Sequence, residues 1–219
     1  MQPIYVSKSL VTASSTGLGS VSSATPPVVT LNTSQLDTAR RISLSATAAF
    51  NATFVLTGTR EGGGKMVETV IGASVAGAVS SLQDFLTLSS VSVSSALGIP
   101  ISIGTNTTGG TVWKVTDWTK NPMMLSMAVT FSSTANSMTA SADFTLDDPT
   151  GTYSDPDNPG NLAPDVFTST SIVSVTGPTL LPVAADAFGT GYPVAAWRLT
   201  ITSSSSTAGT VYATVMQAG

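Results

Sequence analysis

The sequence predicts an all-β protein: two β-sandwich domains, jelly-roll or Ig-like, carrying an extended N-terminal arm. Three observations lead there. Apolar and polar residues alternate with a period of two in one segment after another, which lines a single face of a strand. Clusters of Gly, Pro, Asn, Asp and Ser separate these segments at short intervals. No segment supports a helix longer than two turns, so strands joined by turns are expected rather than βαβ units. A chain of 219 residues holds one large β domain or two small ones. The expected boundaries are 1–32 for the arm, 33–108 for the first domain and 109–219 for the second.

Met1 to Asn32 opens with a short strand-like piece around Ile4 and Val6. A Ser/Gly/Ala-rich stretch follows, then Pro26-Pro27 leading into Val28-Val29-Thr30-Leu31. Such a stretch buries too little apolar surface to fold alone, so it packs on the body or on another subunit. From Arg40 the strands come quickly. Ile42, Leu44 and Ala46 alternate with Ser43, Ser45 and Thr47, and Thr53 to Thr57 is the next strand. Arg60-Glu61-Gly62-Gly63-Gly64-Lys65 is a glycine-rich turn, from which Met66 to Ile71 returns as a hairpin partner. It is no phosphate loop, because Lys65 is followed by Met66 and a strand instead of by Ser/Thr and a helix. Ser81 to Leu86 suits a brief helical turn or another strand. Thr105 to Gly110 reads as a polar, turn-rich break and marks the domain boundary.

In the second half, Leu125, Met127, Val129 and Phe131 alternate with smaller or polar residues. Met138, Ala140, Ala142, Phe144 and Leu146 form the clearest apolar face, opposite Thr139, Ser141, Asp143, Thr145 and Asp147. Asp148-Pro149 ends that strand, since proline lacks the amide a ladder needs. A long loop runs from Thr150 to Pro164, and short strands are expected at Thr168 to Val175 and Leu180 to Ala184. The chain closes on Trp197, Leu199 and Ile201, a Ser/Thr/Gly stretch, then Val211, Ala213 and Val215. This pattern is expected to pair as one half-buried antiparallel hairpin.

Composition narrows the function. Only 9% of the residues are charged, against roughly 25% in average soluble proteins. Ser and Thr hydroxyls take over the polar roles. So little charge leaves a free monomer poorly soluble and suits a surface covered by neighbours. The net charge of −4 argues against nucleic acid, which needs a concentrated basic surface. The one basic pair, Arg40-Arg41, reads as two solvated arginines at a strand edge. Val70 to Val79 is too short to cross a bilayer, so no membrane partner is expected. The absence of Cys removes disulfides and thiolate metal sites, and the absence of His removes the usual general base and the commonest metal ligand. None of Lys8, Lys65, Lys114 and Lys120 stands in a Ser-x-x-Lys spacing. The expectation is a protein without enzymatic activity and without a cofactor, folded in a cytoplasm.

Two stretches taken together resemble tailed-bacteriophage virion structural proteins. The first runs from Ile42-Ser43-Leu44-Ser45 through Phe54 to Thr59 and on to Glu68-Thr69-Val70-Ile71-Gly72. The second runs from Phe144 to Pro149, then Pro193-Val194 and Arg198-Leu199, and ends in Gln217-Ala218-Gly219. These are strand-and-turn patterns, with no catalytic signature among them. The resemblance implies a structural component of the virion, made in the cytoplasm of a bacterial host. Its partners would be capsid, portal, neck or tail proteins and further copies of itself. A head decoration or cement protein is the first expectation. A neck or tail component, or a receptor- or glycan-binding tail module, is the alternative.

Three groups of residues are site candidates. Ile4 and Val6 of the arm, with Arg198, Tyr212 and Met216 of the closing segment, are candidate contacts to neighbouring subunits. Asp147, Asp148, Asp155, Asp157 and Asp165 read first as turn formers; they could also supply oxygens to calcium, although they lack EF-hand spacing. Trp113, Trp118 and Tyr153 could stack on sugars or fill a core or an interface.

Overall fold

The computed structural model describes residues 3–116, 124–132, 138–146, 166–168, 172–173, 179–181, 194–203 and 209–218. Among the described residues all regular structure is β, so the all-β class is observed. In chain order the strands are β1 Ile4–Leu10, β2 Gly19–Val21, β3 Val29–Leu31, β4 Gln35–Ala46, β5 Thr53–Thr59, β6 Lys65–Ile71, β7 Gly77–Val93 and β8 Ile101–Gly110. They continue as β9 Lys114–Val115, β10 Met124–Phe131, β11 Thr139–Thr145, β12 Phe167–Thr168, β13 Ile172–Val173, β14 Thr179–Leu181, β15 Ala196–Thr202 and β16 Gly209–Ala218. The chain divides into two compact units. The first comprises Met1–Thr12, Thr108–Tyr153 and Ala163–Gly219; the second comprises Ala13–Thr107 and Ser154–Leu162.

In the first unit, one antiparallel sheet has the order β1-β16-β10-β14. A second set of strands is built on β11, which pairs with β12, β13 and β15; β15 also pairs with β9 and with the end of β8. The expected alternation is found in both sets. Met127, Val129 and Phe131 of β10 and Val211, Ala213 and Val215 of β16 are buried. They share one core with Ala140, Ala142 and Phe144 of β11 and Trp197, Leu199 and Ile201 of β15. Complete burial of each large side chain contributes about 1.5–3 kcal/mol.

The partners of the closing segment differ from the expectation. β15 and β16 do not pair as a hairpin: they belong to different sheets, and their apolar faces meet through the common core. A period of two fixes which face of a strand is buried but not which strand lies beside it. Two further corrections concern β11. Leu146 lies beyond its end and is 55% exposed. Thr145, expected to face outward, is fully buried, and Ser141 and Asp143 on the same side are buried as well. Both faces of β11 are therefore covered, which an alternation with Ser, Asp and Thr does not announce.

In the second unit, β5 and β6 form the expected hairpin, in register from Thr53↔Ile71 to Thr59↔Lys65. The turn closes when Arg60 N–H donates to Gly64 O at 2.9 Å and Gly63 N–H donates to Arg60 O at 3.0 Å. Gly62 and Gly63 take φ of 96° and 87°, a region open to glycine at little steric cost. The long strand β7 serves two neighbours. Its first part pairs with β4 and its last part with β5. Ser81 to Leu86 therefore lies in a strand, and no helical turn forms there. Ile42, Leu44, Phe54, Leu56, Phe85, Leu88, Ile101 and Ile103 are buried together at the centre of this unit.

Thr105 to Gly110, read from sequence as a turn-rich break, lies within β8, and the division between the units falls inside that strand. Threonine's branched Cβ suits a strand, and this outweighs the turn tendency of Asn and Gly. Gly104 is needed for packing, since a Cβ there would lie 2.1 Å from Ser14 O. The arm of residues 1–32 is also taken up by pairing. β1 pairs along β16 in the first unit, while β2 pairs with β3 and β8 in the second.

Phe144→Ala should destabilise the protein by about 3–5 kcal/mol in denaturant unfolding, because a large core side chain is lost. Leu146→Ala should change stability by no more than about 0.5 kcal/mol, as surface substitutions do. Equal losses would mean that the end of β11 is misplaced.

Candidate functional site

Several of the chain's few charges are held inside. On β4, Arg40 is fully buried, and its Nε lies 2.9 Å from Asp37 Oδ1 while its Nη2 donates to Asp37 Oδ2 at 3.0 Å. Residues three apart on a regular strand point to opposite faces. Here β4 advances five residues, from Gln35 to Arg40, while β7 advances two, from Thr87 to Phe85, and this irregularity brings the pair together. Arg41 reaches Asp84 of β7 at 3.8 Å. The two arginines are thus paired with carboxylates, and Arg40 is not the solvated edge residue expected from sequence.

A second irregularity lies opposite. From Arg41 to Ser43 β4 advances two residues, while β7 passes from Asp84 to Ser80, which is four. The extra residues of β7 free backbone groups from the ladder. Side chains take them up. Ile42 N–H donates to Ser81 Oγ at 2.8 Å, and Ser81 Oγ donates to Gln83 O at 2.8 Å. Glu68 of β6 does the rest: Leu82 N–H donates to Oε1 at 2.6 Å and Gln83 N–H to Oε2 at 3.1 Å. Glu68 is buried, and desolvation raises its pKa above the usual 4.5. The two amides and Arg41 oppose the rise, and Asp84 adds to it. Sequence reasoning passed over Glu68. The signal was its position between Met66 and Val70, both of which the structure buries.

On the first unit, Arg198 of β15 stands directly opposite Asp143 of β11. Arg198 Nε donates to Asp143 Oδ2 at 3.0 Å. Thr168 Oγ1 donates to Oδ1 at 2.8 Å, and Thr200 donates to Oδ2. The Arg198 guanidinium lies over the Trp113 ring, 4.9 Å from its centroid. Arg198 thus holds internal contacts on a different sheet from Tyr212 and Met216, the residues with which sequence had grouped it. The same stacking contact occupies Trp113. Trp118, Tyr153, Asp147, Asp148, Asp155, Asp157 and Asp165 lie outside the described residues. Among the described residues no group of three or more acidic side chains is placed to hold a metal.

The remaining candidates lie on the β1-β16-β10 sheet. Ile4 and Val6 turn inward and pack against the core of the first unit. Between them Tyr5 is 75% exposed, and on β16 Tyr212 and Met216 are 50% and 45% exposed. The register sets Tyr5 beside Thr214, Ser126 beside Met216 and Ala128 on the other side of Thr214. Ser7 and Ser9 are further outward positions of β1, as Thr130 is of β10 and Thr210 of β16. No charged residue occurs at these outward positions among the described residues. The sheet thus presents a neutral face of aromatic, methionine and hydroxyl side chains, which fits contact with protein. Comparison with protein-family models, with curated proteins and with solved structures finds no match to this chain.

Glu68→Ala should cost about 1–3 kcal/mol by leaving the buried Gln83 amide without its acceptor. Glu68→Gln should flatten part of the pH profile. Because the folded pKa is raised, the carboxyl's contribution is fully present below pH 4.5 and is lost as pH rises through the folded value. The stability difference, wild type minus Glu68→Gln, should therefore fall with rising pH across that window. A difference that rises with pH in urea titrations would contradict this account.

Proposed function

We propose that the protein is a non-enzymatic structural component of a tailed-phage virion that binds through sheet surfaces, in the first instance as a head decoration or cement protein. The observation that carries this reading is the neutral outward face of β1, β16 and β10, with Tyr5, Tyr212 and Met216 exposed on it. Large exposed apolar and aromatic side chains grouped on one face are a mark of interaction surfaces. The sequence supports it in two ways: the resemblance in Ile42 to Gly72 and in the closing segment, and a composition without His or Cys. Each unit is read as a sandwich-like domain. In the first, this agrees with a core that draws on residues of both strand sets.

Binding of this kind rests on apolar burial at about 25 cal/mol per Å² and on hydroxyl hydrogen bonds. It should depend little on salt. Purified virions washed in molar salt, where the Debye length is about 3 Å, should keep the protein. Quantitative mass spectrometry of those particles should find it in numbers comparable with the main shell protein. A handful of copies per particle would place it at the neck or tail instead. Its absence from particles, or its release by salt, would contradict the reading.

A further inference from the structure

We propose that the occupant of the outward face of β1, β16 and β10 is the same face of a second copy of this chain, the two related by a two-fold axis. This rests on the assembly reading above and names the partner.

The chain carries 12 acidic and 8 basic residues, so copies repel one another on average. A face whose described outward positions hold no charge is one where two copies can meet without juxtaposing like charges. A partner of opposite charge would gain nothing from such a face, whereas an identical neutral face matches it. The relief of the face has the same property. Tyr212 and Met216 stand out on the central strand, and Thr214 lies between them, flanked by Ala128 and overlooked by Tyr5. Outward residues on one strand are about 7 Å apart, two residues of rise. With an axis between positions 212 and 214, Tyr212 of each copy sits over Thr214 and Ala128 of the other. Such a contact is isologous and closes on itself.

Size decides how strong the contact is. Three strands and about seven residues of length give a face of roughly 15 Å by 25 Å, or roughly 400 Å² per copy. A standard stable interface uses about 800 Å² per partner. The pair is therefore a weak, concentration-dependent dimer when free, strengthened where copies are held side by side.

Sedimentation velocity of the purified full chain over a wide concentration range tests this. Wild type should shift from monomer to dimer as concentration rises. Tyr212→Glu should weaken the dimer at least tenfold, with thermal unfolding unchanged because Tyr212 faces outward. Val75→Glu, at an exposed apolar residue of the second unit, should leave the dimer intact. A wild type that stays monomeric at millimolar concentration would overturn the proposal. So would a dimer indifferent to Tyr212→Glu, or one lost equally in Val75→Glu. The two readings fail separately. A monomer that is still found in virions sinks only the dimer, and a dimer absent from virions sinks only the virion role.

Discussion

Val211, Ala213 and Val215 of β16 share one core with Trp197, Leu199 and Ile201 of β15. Much else in the first unit follows from that core. Because successive side chains of a strand point to opposite faces, burying these three turns Tyr212, Thr214 and Met216 outward. A slip of one residue would bury Tyr212 and Met216 and expose three apolar residues in their place. The pairing of β1 along β16 obeys the same parity. Ile4 and Val6 join the core, and Tyr5 joins the outer face. The outward surface of this sheet is thus the complement of the core, fixed by the same alternation.

Polar groups impose the second constraint. A chain with so few charges would be expected to keep them in water, yet Arg40, Glu68, Asp84 and Asp143 are buried. Arg40 is held by Asp37, Asp143 by Arg198 and two threonines, and Glu68 by two backbone amides. Burying a charge is costly unless it is paired or hydrogen-bonded, and each of these meets a partner. The irregular stretches of β4 and β7 make two of these arrangements possible, because they place groups together that regular strands would separate. The consequence reaches the surface: charges drawn inward leave it still poorer in charge than the composition suggests.

The sequence made the strands legible wherever one face is buried and the other is wet. β5, β6 and their glycine turn, β10 and the inward residues of β15 and β16 all follow from period two and from Gly62 and Gly63 at positive φ. Partners were less legible. The closing segment looked like a hairpin because its two strands are consecutive, but the core joins them across sheets. Strands covered on both sides were misread for a related reason: Thr145 and Arg40 are polar, and nothing local says that another element covers them. Of the candidate contacts, Tyr212 and Met216 are exposed. Ile4, Val6 and Arg198 hold internal positions that depend on β1 finding β16 and β15 finding β11. Glu68 acquired its role from a bulge in another strand, which single-strand reading does not see.

One face of β16 is closed in the core, and we propose the other as a contact with neighbours in a virion. The chain contains no cysteine, so Met216→Cys introduces a unique thiol on the available face. Its rate of reaction with a maleimide, in the free protein and in assembled particles, measures the claim directly. Fast labelling of the dilute, monomeric protein and strong protection in the particle are expected. Slow labelling of the dilute monomer, or equal rates in the two states, would contradict this arrangement.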